Sequence, residues 1–200
     1  MNRPNAPQAV VRLGHVGIAR DDPDYDRLML FNQVLGGQFT SRLNEKLREE
    51  RGFTYGVRSS FDGRRGAGPF AVAASLQADK LDVALDDVRH ELEALLGDKP
   101  PRQSEIDDAR RSLIEGQSRH FETPSALVNR YANVFIHGFP IDHLATFPER
   151  IAAVDLASVI DASRRRIDPQ ALVAVVVADA EQTRPLLESL TWADLELIED

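Results

Sequence analysis

The sequence predicts an α+β sandwich, a split β-α-β-β-α-β skeleton with a mainly antiparallel sheet, helices packed on one face and a helical insertion. Three observations carry that prediction. Two segments alternate with period two: Val57, Ser59 and Phe61 against Arg58, Ser60 and Asp62, then Phe70, Val72, Ala74 and Leu76 against Ala71, Ala73, Ser75 and Gln77. The glycine-rich run Gly63 to Pro69 between them reads as a hairpin loop, so these strands pair antiparallel. Leu81, Leu85, Val88, Leu92 and Leu95 then form the cleanest helical stripe in the chain, closed by Gly97, Pro100 and Pro101.

The remaining elements follow in order. Val10 to Ala19, β-branched and containing glycine, reads as the first strand, and Asp21, Asp22 and Pro23 make a turn and a helix start. Leu28, Phe31 and Leu35 give an amphipathic helix over Asp24 to Leu35, with Gly36 and Gly37 as its C-cap. Phe39, Leu43 and Leu47 repeat at helical spacing and mark a second short helix that Gly52 ends; Phe39 and Phe53 are expected in the core. Ser104 with Asp107 resembles a capping box for a helix through Ile106 and Leu113. Thr123 and Pro124 open a helix with Leu127, Tyr131 and Val134 inward. Helical material continues from His143 to Val154 and from Asp155 to Arg166. Leu172 to Ala178 reads as a buried strand and Glu181 to Leu190 as a last helix.

Composition bounds the function. Two hundred residues, 42% hydrophobic and 28% charged, describe an ordinary globular chain able to bury about 70% of its unfolded surface. The apolar run Ala171 to Ala178 is far short of the roughly 20 residues of a membrane helix, and Met1 to Gln8 has no signal-peptide core. That leader, with Asn2, Pro4, Asn5 and Pro7, reads as a linker, as if the chain were cut from a longer one. The expected layout is a leader over 1–8, one domain over 9–192 and a tail over 193–200. A soluble bacterial protein, cytoplasmic or periplasmic, is expected, with the compartment undetermined. The net charge of −8 argues against nucleic acid as a partner. Zero cysteines exclude disulfides, thiolate metal sites and a cysteine nucleophile. Arg42 to Arg65 nevertheless carries seven basic against four acidic side chains.

Familiar catalytic motifs are missing. None of His15, His90, His120, His137 and His143 lies four residues from another, and the stretch from His90 to Ala94 starts like HExxH but puts alanine where the second ligand belongs. Ser118 sits in a helical stretch rather than a strained G-x-S-x-G elbow. Gly63, Gly66 and Gly68 lead to Pro69 at a strand, with no Gly-Lys-Ser/Thr to make a phosphate loop.

The basic segment carries a resemblance. Leu35-Gly-Gly, Ser41-Arg-Leu, Leu47-Arg-Glu and Arg51-Gly-Phe-Thr-Tyr55 resemble the signature of the C-terminal domain of the M16 zinc peptidases, the pitrilysin, insulinase and mitochondrial processing peptidase family. The stretches starting at Gln8, Ser104, Ile151 and Val173 are similar to further segments of that domain, so the resemblance covers most of Gln8 to Leu190. It implies the α+β metallohydrolase fold of that family and a place opposite a homologous domain across a chamber. The facing domain would hold zinc through an HxxEH motif; this chain has no HxxEH and resembles the partner, with no cofactor of its own and inactive alone. By motif position the resemblance implies that Arg48 and Tyr55 touch the peptide substrate, and Arg42 is a further substrate-binding candidate, as readily structural.

The implied chemistry is coherent. Peptide hydrolysis builds negative charge on the carbonyl oxygen, and one preorganised donor is worth about 2.7 to 4 kcal/mol there. Arginine brings five donors and a fixed charge, tyrosine one hydroxyl. From spacing alone, Arg48 would instead pair with Glu45 or Glu49 in solvent, and Tyr55 would be a half-buried strand aromatic. Three functions are therefore weighed: the substrate-facing half of an M16 peptidase, completed by an HxxEH-bearing domain in the same polypeptide or a sister subunit; a non-catalytic M16-like scaffold; and an acidic binding module outside the family.

Overall fold

Alternation sets the sheet. Along Gln8–Val16 (β1) Ala9, Val11 and Leu13 are buried while Val10 and Val16 face solvent. Val57–Phe61 (β2), Pro69–Gln77 (β3) and Val173–Val177 (β4) complete a sheet of order β2-β3-β1-β4, antiparallel at every pairing. The computed structural model describes residues 1–118 and 121–198. Its register puts Leu13 between Val72 and Ala174, and Val11 between Ala74 and Val176, so one face is continuously apolar. Onto that face packs Leu81–Leu96 (α3), with every residue of the leucine stripe buried. Each fully buried leucine contributes roughly 1.5 to 3 kcal/mol.

The insertion runs through four helices, Gln103–Ser118 (α4), Pro124–Ile136 (α5), Phe147–Ala153 (α6) and Leu156–Arg166 (α7); Ala180–Glu188 (α8) follows β4. Charge pairs tie it to the first helix, Tyr25–Asn32 (α1). Asp24, only 4% exposed, accepts from Arg165 and Arg166 at the end of α7, and Asp26 accepts from Arg150 of α6 at 3.0 Å. Burial works to raise the Asp24 pKa, and the two guanidiniums outweigh it and leave it lowered.

Several expectations need correction. Gly36 and Gly37 do not cap α1: the helix passes at Asn32 into a π-helical turn, Gln33–Gly37, and neither glycine has a positive φ. Their role is close approach. A Cβ on Gly36 would stand 2.7 Å from Ser59 Oγ, and one on Gly37 2.8 Å from Asn32 Nδ2. Ser104 does not cap α4; Arg102 precedes the helix and donates its N–H to Glu105 Oε2 at 2.8 Å, so the acidic half of a capping box is supplied by Glu105. On α5, Thr123 caps as expected, but Leu127 and Tyr131 are exposed and only Val134 of the three is buried. Between His143 and Val154, helix begins only at Phe147. β4 is not buried on both faces: it is the last strand of the sheet, and Val173 and Val175 lie open because no layer covers the second face there. The Ser118 side chain and His120 lie outside the described residues.

Candidate functional site

The segment that carries the motif starts as a single helical turn, Arg42–Asn44 (α2), and widens into a π-helical turn, Glu45–Glu50. A π turn packs an extra residue into its length and so re-aims the side chains that follow. Leu43 and Leu47 are fully buried and anchor it. Gly52, at φ +67°, then reverses the chain as expected for a left-handed cap, and Phe53 N–H donates to Leu47 O at 2.9 Å. The next residues are stapled to β3: Gln77 donates its N–H to Phe53 O and its side chain to Gly52 O, and Thr54 Oγ1 donates to Ser75 O at 2.7 Å.

On this rigid connection the three sequence candidates have different surroundings. Tyr55 is 90% exposed, its ring free of the domain that positions its backbone. Arg48 lies with its guanidinium 4.0 Å above the ring of Phe39. Its Nη1 is 3.2 Å from Glu49 Oε1, yet the alignment is not that of a hydrogen bond, and this buried nitrogen has no acceptor among the described residues. No hydrogen bond links Arg48 to Tyr55 among those residues; the two flank the Gly52 turn. Arg51 is pinned to α3 by two bonds to Asp87, at 2.9 and 3.2 Å.

Arg42 is engaged inside the fold. It donates to both oxygens of Glu105 at 2.8 and 2.9 Å and to the carbonyls of Lys99 and Pro100, and it lies 3.5 Å from Glu91. Burial works to raise the Glu105 pKa, but the bonds from Arg42 and Arg102 override it and bring that pKa down to about 2. This arginine clamps α2 to the α3–α4 connection.

Phe39 was expected in the core and is 66% exposed. It precedes α2, in the non-helical bend after the first π turn, so the helical spacing counted from it to Leu43 crosses a stretch that is not helix. Its place as the platform under Arg48 could not be read from periodicity.

Among the described residues no three His, Asp or Glu side chains are grouped to hold a metal ion, so those residues offer no donor set that fits zinc. None of those residues forms a helix long and apolar enough to cross a membrane. A cavity of about 470 Å³ between β4, α8 and the segment after Leu190 is lined by Leu172, Val176, Leu187 and Trp192 and includes none of Arg42, Arg48 and Tyr55.

Known proteins resemble this chain in sequence and fold. The family model described as the peptidase M16 inactive domain matches residues 1–113. The non-peptidase homolog YmxG of Helicobacter pylori is 27% identical over 169 residues, which is 82% of this chain and 38% of that protein. An uncharacterized zinc protease of Streptomyces coelicolor, SCO5738, is 35% identical over 127 residues, 62% of this chain and 27% of its own length. The crystal structure of a peptidase M16 inactive domain from Pseudomonas fluorescens superposes with a TM-score of 0.80 at 29% identity, over 90% of this chain and 42% of that one. The chain thus spans less than half the length of each of these proteins. Its fold is theirs, and with more than half of its residues matched to the family model the chain belongs to the peptidase M16 inactive-domain family.

Proposed function

We propose that this chain is the substrate-facing half of an M16-type zinc metallopeptidase, in which Arg48 and Tyr55 bind peptide and stabilise the charge that develops on its carbonyl oxygen. The observation that supports the reading is the stapled connection itself, which carries both the exposed Tyr55 and Arg48, laid on the Phe39 ring with Nη1 3.2 Å from Glu49 Oε1. Phe39 holds the guanidinium flat, so little freedom is lost on binding. Zinc belongs to the HxxEH-bearing half, in the same polypeptide or a sister subunit, and the unit contributed here is 9–192, between a leader and a tail.

The test is made in the assembled enzyme. Tyr55→Phe is expected to lower kcat by up to 10²- to 10³-fold while zinc content is unchanged. A fall in zinc with intact activity per zinc would reassign Tyr55 to structure. The 200-residue chain alone is expected to bind no stoichiometric zinc and cleave no peptide; chelator-sensitive cleavage by the pure chain would overturn the proposal.

A second reading, a non-catalytic scaffold, is favoured by the relative that matches 82% of this chain and is described as a non-peptidase homolog. Turnover that survives both Arg48→Ala and Tyr55→Phe unchanged would select it. Sequencing the native reading frame shows whether an HxxEH domain is encoded with this one.

A further inference from the structure

A second group of arginines lies where the insertion meets the β1–α1 connection, away from the motif segment in sequence. The Arg20 guanidinium is 4.1 Å above the Tyr25 ring and 5.0 Å from the centroid of Phe139. Its Nη2 is 3.5 Å from His143 Nε2, which Arg150 also approaches, at 3.4 Å. His143 stacks on Phe139 with ring centroids 4.0 Å apart and planes within 5°. The glycine-rich hairpin loop closes the group: Arg20 N–H donates to Arg64 O, and Arg65 Nε donates to Ile136 O at the end of α5.

Of the nearby carboxylates, Asp26 is taken by Arg150 at 3.0 Å and Asp62 by Arg64 at 2.6 Å, while Asp142, next to His143, lies exposed. Arg130 of α5 is half-buried, and burial followed by the charge of Arg20 lowers its pKa. Neither Arg20 nor Arg130 has a carboxylate partner among the described residues. The chain has 32 acidic residues for 24 basic ones, so the unmatched pair does not reflect a shortage of acids. Two like charges in half-buried surroundings repel with little screening, which an anion between them would relieve. Burial keeps the Tyr25 hydroxyl protonated by raising its pKa, which leaves it a donor. The loop leaves room for that hydroxyl because residue 63 is glycine: a Cβ there would stand 2.8 Å from Arg20 Cδ and 2.9 Å from Tyr25 Oη.

We propose that Arg20, Arg130 and the Tyr25 hydroxyl form an oxyanion-binding site at the junction of the insertion and the hairpin loop, one that takes a carboxylate or phosphate group. Stacking on two rings fixes the plane of the Arg20 guanidinium, and a guanidinium edge matches two oxygens of either group. His143, held neutral by burial and by Arg150 and Arg20, with its pKa at about 4, adds no competing charge.

The experiment titrates the 200-residue chain with inorganic phosphate and, separately, with acetate, at an ionic strength held constant with sodium chloride, and follows the thermal midpoint. A saturable rise is expected, since a ligand that binds only the folded state raises its stability. Arg130→Gln and Arg20→Gln should each abolish the rise, and Arg184→Gln, on α8 and paired with Glu188, should leave it intact. Phosphate acting alone assigns the site to phosphate groups, acetate alone to carboxylates. No saturable rise with either anion, or a rise undiminished in the variants, overturns the proposal. If Arg20→Gln fails to fold for want of its ring contacts, Arg130→Gln decides the outcome.

Discussion

Asn44 does for β2 what a neighbouring strand would do. Its side-chain amide accepts from Val57 N–H at 3.1 Å and donates to Val57 O at 3.0 Å, in a position only 5% exposed. Asn32 repeats the device two residues along, donating to Ser59 O and accepting from Ser59 Oγ. The outer edge of the sheet is thereby closed against pairing with another chain. Replacing Asn44 with alanine should leave a buried N–H and C=O without partners and cost about 2 to 4 kcal/mol by urea unfolding, against a change within about 0.5 kcal/mol for the exposed Asn129→Ala. A loss as small as that of Asn129→Ala would mean that water reaches the edge and replaces the amide. Nothing in the spacing of the sequence marks either asparagine, because their partners are backbone groups 13 and 27 residues away.

Whole elements are held by groups that titrate in different windows. Glu105, with its pKa at about 2 in the fold against an ordinary 4.5, supports the α2 clamp fully above pH 4.5, and that support fades as pH falls toward 2. His143 has its pKa brought down to about 4 from 6.5, first by burial and then by the charges of Arg150 and Arg20. The fold resists protonating it, so stability falls with pH between 6.5 and 4 and is unaffected above that range. His143→Phe, which keeps an aromatic ring against Phe139, should flatten the loss between pH 6.5 and 4, and Glu105→Gln the loss between 4.5 and 2, both read from urea midpoints across pH. Parallel profiles for wild type and either variant would refute the assignment of that window. At this scale periodicity reads well along α3 and β3, where the residues of the stripe and of the alternation are buried, and less well on α5, where Leu127 and Tyr131 are exposed. It fails in the bend between the two π turns, where a count of 3.6 residues per turn does not apply and Phe39 is misplaced, although Leu35 and Leu47 within those turns are buried as expected.

The molecule as a whole is an open sandwich, one sheet face closed by α3 and the opposite face bare at Val10, Val16, Val173 and Val175. Leu92, fully buried on α3, belongs to the one core cluster, and Leu92→Ala should cost about 2 to 5 kcal/mol in a single cooperative transition. A biphasic transition would show that the insertion unfolds separately from the sheet. The sandwich, the antiparallel hairpin, the leucine stripe and the M16 motif segment were all legible in the sequence by itself, because each is written in residues close together along the chain. The tertiary structure alone decided which polar groups are occupied and which are free. Arg42 and Arg48 stand six residues apart in one basic segment, yet Arg42 is taken up by Glu105 and two carbonyls while Arg48 lies on the Phe39 ring beside Glu49. The physical reason is that a guanidinium's partners come from elements some 60 residues away, brought to it by packing, and the same packing sets Arg20 against the rings of Tyr25 and Phe139.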